Sequence, residues 1–419
     1  MTPQPGLARR LGTGDAVVVG LSAMLGAGVF VVWGPAAAVA GSGLLLALAI
    51  AAVVAFCNAT SSAQLAEHHP SSGGTYVFGR EVLGPWWGFV EGWGFVVGKT
   101  ASCAAMAMAF AAYAVPAGGE WPQRLVAAGA VVVLTASNLR GVTRTALMAK
   151  VLLAITLLVL LGLLATALGT GPERVSALEP TGGVLGVLQA AGLLFFAFAG
   201  YARIATLAEE VRRPQMLGRA ILVALGVALL LYAAVAWFLV STLGADLPGS
   251  TTPLRDAAVA ARLEWAAPVV RLGAATAALG ALLALLAGVG RTALAMARER
   301  DLPATLASVD QRHRVPDHAQ LAIGAAVVLV VLLVDLRGAI GFSSFGVLAY
   351  YAVANLSALR QPADQRRWPR WLQVLGLTGC VVLGFALPWE SVVAGATVLL
   401  VGVTGRAFAL RRRARGSRA

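Results

Sequence analysis

Apolar segments of about twenty residues recur from one end of this chain to the other, and they leave few folds open. That is the length a helix needs to cross the hydrocarbon of a bilayer. The 419 residues are 59% apolar and only 12% charged, about half the charge of an ordinary soluble domain. Twelve spans can be read, with approximate limits 14–40, 43–66, 84–115, 122–139, 147–168, 184–209, 217–242, 265–297, 318–334, 338–359, 371–387 and 389–408. No stretch between them is long or polar enough for a separate soluble domain. The expected fold is therefore an all-α polytopic membrane protein, a single transmembrane domain over 1–409 with a basic tail over 410–419.

The net charge of +13 would point a soluble protein towards nucleic acid. Here membrane orientation accounts for it, and no nucleic-acid partner is expected. With the N-terminus in the cytoplasm, 25 of the 32 lysines and arginines fall in inside segments and six outside, with Lys99 inside a span. Cytoplasmic loops carry such an excess, so both termini are expected inside, with the chain in a cytoplasmic (inner) membrane. The first apolar run follows Arg9 and Arg10 as a signal peptide would. It is too long for one and is followed at once by more spans, so no cleavage is expected. Cys57, Cys103 and Cys380 show no metal or redox spacing and read as small buried hydrophobes. Neither a metal nor a cofactor is expected.

Two spans carry glycine at their middle. Gly26 and Gly28 interrupt the first, and Gly200 interrupts the sixth, about half-way along the chain. Glycine weakens a helix and frees the backbone to leave it. In hydrocarbon a break is tolerated only where protein or a watery cavity satisfies the freed groups. A packing notch of small residues is the competing reading for one such glycine pair. A pair of interrupted spans, one in each half, points instead to a midplane substrate site between inverted repeats, the plan of a secondary transporter.

Gly26-Ala27-Gly28-Val29-Phe30 resembles the first-span motif of the amino acid–polyamine–organocation (APC) permeases. The cytoplasmic stretch from Pro70 through Gly73-Gly74-Thr75-Tyr76 to Leu83-Gly84-Pro85 and Gly92-Trp93 resembles a second segment of that family. Phe195 to Pro214, with Ala208-Glu209-Glu210-Val211 before a basic pair, is similar to that family's sixth-span ending. Met296-Ala297-Arg298 with Leu302-Pro303 fits its loop after span 8. The resemblance implies a five-plus-five inverted repeat, about 14–168 and 184–359, with discontinuous spans 1 and 6 and two added C-terminal helices over about 371–408. It also implies transport of amino acids or related amines, with the substrate backbone between the two breaks. Arg203 is a departure, standing where many relatives carry an acidic or small residue.

For a bound carboxylate, the N–H groups of Ala27, Gly28 and Val29, beside Gly26, are the candidates, because a half-helix starting there aims its positive end inward. For an α-ammonium, the candidates are the carbonyls of Phe198, Ala199 and Tyr201 around Gly200. Phe198 and Tyr201 are read either as a gate over the substrate or as core aromatics. Glu91, Arg203, Glu209 and Glu210 are inner-gate candidates. Arg203 and Glu210, seven apart on one helical face, fit an internal pair better than a substrate contact.

Lys99 lies 14 residues beyond Pro85, about 21 Å along a helix. An uncompensated lysine at that depth costs about 2.5–3.5 kcal/mol on the gentler insertion scales, so a partner or a watery cavity is expected. It is not Glu91, which points about 80° away on the same helix. Lysine, unlike arginine, can give up its proton when desolvated, which makes Lys99 a coupling candidate. Some APC members use a lysine of span 5 for this, and Thr156 stands at about that place here.

The expected activity is secondary active transport of amino acids by alternating access, as proton-coupled uptake of neutral substrates, since neither break has an acidic residue beside it. An exchanger or exporter of amino acids or cationic amines is the alternative. An enzyme is not expected, because the spans hold no paired aspartates and all four histidines lie in or beside the expected cytoplasmic loops.

Overall fold

A computed structural model describes residues 12–69, 74–115, 119–140, 145–170, 177–201 and 216–416. The described residues form helices α1 (Thr13–Met24), α2 (Gly28–Val31), α3 (Trp33–Ala40), α4 (Leu44–His68), α5 (Thr75–Val82), α6 (Pro85–Ala114), α7 (Glu120–Leu139) and α8 (Thr145–Thr170). After these come α9 (Gly183–Phe198) with a 3-10 turn over Ala199–Tyr201, α10 (Leu217–Leu243), α11 (Pro253–Ala260) and α12 (Ala266–Arg298). The bundle ends with α13 (Asp317–Leu333), α14 (Leu336–Arg360), α15 (Arg370–Ala386) and α16 (Trp389–Gly416). Among the described residues there is no strand, only an isolated bridge between Gly41 and Pro180. Among the described residues, eight helical segments are long and apolar enough to cross a bilayer, and three shorter apolar helices accompany them. This is a multi-pass membrane protein.

Local chemistry sets several boundaries. Gly84, at φ 103°, lets the chain turn before Pro85 opens α6, where proline's missing N–H costs nothing. Asp335 caps α14 by accepting from the Gly338 N–H at 3.0 Å. The run read as one span over 14–40 is three helical pieces, because α1 ends at Met24 and helix resumes only at Gly28.

Helix α6 is the centre of the bundle: 89% of its most apolar stretch is buried, against 11% for α16. Small residues bring it there, since helices in lipid associate by close packing rather than by hydrophobicity. The sharpest backbone-to-backbone approach is to α14, where a Cβ on Gly346 would sit 2.6 Å from the Gly98 α-carbon. One turn on, the Ser102 and Ser343 hydroxyls hydrogen-bond at 2.6 Å. The three cysteines are buried free thiols.

At the end of α6 that begins with Pro85, an ionic cluster joins four parts of the chain. Asp301, just past α12, accepts from the Tyr76 hydroxyl at 2.9 Å and pairs with Arg80 at 3.3 Å and Arg406 at 2.8 Å. Arg80 also reaches Glu299 at 2.7 Å. Burial and the adjacent Asp301 carboxylate raise the Tyr76 hydroxyl above its ordinary range. Arg406, on α16, donates to the Pro85 carbonyl at 2.8 Å and lies over the ring of Trp86.

Side chains added at the α6–α14 contact should separate the two helices. Gly346→Val is expected to cost about 1–3 kcal/mol, the usual penalty of overpacking, and to lower the melting temperature in detergent. Gly162→Ala, inside α8 with nothing within 4 Å of its added methyl, should not lower the melting temperature, because alanine favours the helix over glycine.

Candidate functional site

Helix α1 closes with the Leu25 N–H on the Leu21 carbonyl at 2.7 Å. The next backbone bond runs from the Phe30 N–H to the Ala27 carbonyl at 3.0 Å. Among the described residues, the N–H groups of Gly26, Ala27, Gly28 and Val29 have no acceptor. Val32 keeps helical angles, so α2 runs on into α3. The open N–H groups therefore begin a longer helical stretch and carry the positive end of its dipole.

The second break lies directly against the first. A Cβ on Gly28 would stand 2.9 Å from the Ala197 α-carbon. A Cβ on Gly200 would overlap the backbone of Ala23 and Met24. Gly26 faces Ala281 of α12, with its added Cβ 2.7 Å from that methyl. The glycines thus allow backbone to meet backbone where two interrupted helices cross. Gly26, Ala27, Gly28, Val29, Phe198, Ala199, Gly200 and Tyr201 are brought together at this crossing.

The freed carbonyls have donors of their own. The Tyr232 hydroxyl, from α10, is shared between the Met24 carbonyl at 2.7 Å and the Ala197 carbonyl at 2.9 Å. Tyr113, near the end of α6, donates to the Phe30 carbonyl at 2.8 Å, and the Trp33 indole donates to the Val29 carbonyl at 2.7 Å. Neither tyrosine stands out in the sequence. A tyrosine near the middle of an apolar span such as α10 is the signal that could have marked Tyr232, since its hydroxyl needs a partner there.

Lys99 is 5% exposed, and its ammonium donates to the Ala199 carbonyl at 3.0 Å. Its partner is thus a backbone carbonyl at the second break, and one that the sequence reading had offered to a substrate's α-ammonium. Phe198 and Tyr201 are fully buried. The Phe198 ring meets Tyr232 edge-on at 5.0 Å, and Tyr201 stacks on Tyr351 at 5.2 Å.

Glu91 is fully buried on α6 against Gly79 of α5, and neither carboxyl oxygen has a hydrogen-bond partner among the described residues. Thr156 donates to the Leu152 carbonyl within its own helix at 2.9 Å. Arg203, Glu209 and Glu210 lie outside the described residues.

A family model described as amino acid permease matches residues 11–407. An uncharacterized transporter of Mycobacterium tuberculosis is 54% identical over 410 residues, covering 97% of this chain and 92% of that protein. A branched-chain amino acid permease of Bacillus subtilis is 27% identical, covering 95% of this chain and 92% of its own length. Human cationic amino acid transporter 4 is 30% identical over 85% of this chain and 60% of its own length. These relatives are transporters rather than enzymes. With nearly its whole length matched, the chain belongs to the amino acid permease family of the APC superfamily.

Proposed function

We propose that this protein is a secondary active transporter that takes up neutral amino acids with protons by alternating access. The observation that carries the reading is the crossing of the two breaks, where Gly28 packs on Ala197, Gly200 packs on Ala23 and Met24, and four N–H groups have no acceptor among the described residues. Those N–H groups suit a substrate carboxylate. The carbonyls of Phe198 and Tyr201 suit its ammonium, and Ala199 becomes available when Lys99 withdraws. The absence of an acidic residue beside either break in the sequence favours neutral over cationic substrates. Twelve spans in a five-plus-five inverted repeat account for the helix order, with α7 standing beside the apolar helices as the fourth span. Lys99 is the coupling residue in this reading: its proton leaves when the cavity opens to one side and returns from the other.

Counterflow in proteoliposomes against a panel of amino acids tests the substrate class. Leucine or another neutral amino acid should exchange, and a protein that carries no amino acid would sink the proposal. Gly200→Ala should weaken binding at least about tenfold, a loss of 1.4 kcal/mol. It should harm binding more than Gly28→Ala does, because the backbone facing Gly200 is closer.

Orientation is checked by single cysteines in a background without Cys57, Cys103 and Cys380. A cysteine at Ser308 should react only from the cytoplasm, and one at Ser250 only from outside. Reaction of Ser308→Cys from outside would contradict twelve spans with both termini inside.

Coupling is read as the ratio of uptake driven by a proton gradient to exchange without one. Lys99→Gln and Lys99→Arg should both bring that ratio to the value measured with no gradient. If Lys99→Arg keeps gradient-driven uptake, the proton travels elsewhere.

A further inference from the structure

Lys99 has a second consequence, which follows from its charge rather than from its titration. Its ammonium lies 3.0 Å from the carbonyl of Ala199, the first residue past α9. The next residue, Gly200, packs directly on Ala23 and Met24. A positive charge therefore stands where the two interrupted helices meet. The described residues of both breaks, 20–32 and 195–201, contain no charged side chain. Glu91, the carboxylate of the same helix, is eight residues away, about 12 Å along the axis. Cys103, one turn from Lys99 on the other side, is a buried thiol. The N–H groups of Gly26 to Val29, open among the described residues, lie on the other break of the same crossing, where Gly28 packs on Ala197, and add positive potential there. The carbonyls of Met24 and Ala197, which would offset it, are turned to Tyr232.

We infer that Lys99 is a specificity-determining residue, whose positive charge at the crossing of the breaks admits amino acids of zero net charge and rejects those with cationic side chains. The inference rests on the reading that substrates sit between the breaks. The ammonium and carboxylate of a neutral amino acid nearly cancel at the lysine, and the carboxylate gains when it turns towards the N–H groups. A cationic side chain leaves one charge uncancelled. Two unit charges roughly 6–8 Å apart, at an effective dielectric of about 20, repel enough to weaken binding about 30- to 100-fold.

The experiment uses substrate pairs that differ mainly in charge: citrulline with arginine, and norleucine with lysine. Each is measured as a competitor of leucine counterflow in proteoliposomes of the full chain. The unaltered protein should prefer the neutral member of both pairs. Lys99→Gln should shrink both preferences by about tenfold or more, and Lys99→Arg, which keeps the charge, should restore them even where proton coupling is lost. A lysine that only holds α6 against α9 predicts that Lys99→Gln weakens all four probes alike, with unchanged ratios, and that result overturns the inference. Lys99→Met provides a second uncharged variant if Lys99→Gln is unstable. An unaltered protein that takes arginine as readily as citrulline overturns the inference with no variant at all. If neither leucine nor any probe is carried, the amino acid reading itself falls, a failure distinct from the loss of charge selection alone.

Discussion

Backbone polar groups released inside an apolar bundle must find partners, and the arrangement of this protein around its centre follows from how they do. Two helices open at the same place, and each opening leaves carbonyls that lipid cannot serve. Tyr232, Tyr113, Trp33 and Lys99 serve them. Three of these donors come from helices α6 and α10, so the breaks fix where α6 and α10 stand as much as those helices hold the breaks. The division is uneven. The carbonyls of Met24, Val29, Phe30, Ala197 and Ala199 are capped by side chains, while the N–H groups of Gly26 to Val29 are left open among the described residues. A run of spare donors favours an anionic group.

Close approach is the second requirement, and glycine meets it at places that differ in kind. Between α6 and α14, Gly98 and Gly346 let two continuous helices touch, which is a matter of stability. At Gly28 and Gly200 the same chemistry brings two interrupted backbones into contact, where the proposed function puts the substrate. Neighbouring polar pairs tighten the first kind of contact, as Ser102 with Ser343 does, or Ser61 with Asn355 between α4 and α14 at 2.7 Å.

Much of the plan was legible in the sequence, for physical reasons. Apolar runs of bilayer length announce helices, and the third span, expected from residue 84, opens at Pro85. Gly26, Gly28 and Gly200 could be read because glycine in the middle of such a run is costly unless it has a use. Lys99 could be read as needing a partner for the same reason, but the partner could not be named: Ala199 is 100 residues away in the chain and offers only its backbone. Tyr232 and Tyr113 were missed because a hydroxyl in an apolar helix gives no periodic signal. The cluster around Asp301 was hidden because its members, Tyr76, Arg80, Glu299 and Arg406, come from well-separated parts of the sequence.

The bridge between Gly41 and Pro180 bears on mechanics. Ser42 donates to the Glu179 carbonyl at 3.1 Å, and Gly41, at φ 49°, has no room for a side chain beside that carbonyl. The far end of α3 is thereby pinned to the lead-in of α9, while Gly28 and Gly200 pin the same two spans at their breaks. Two struts fastened to each other at two points resist sliding past one another, and a load on either is shared by both along the portions between the bridge and the breaks.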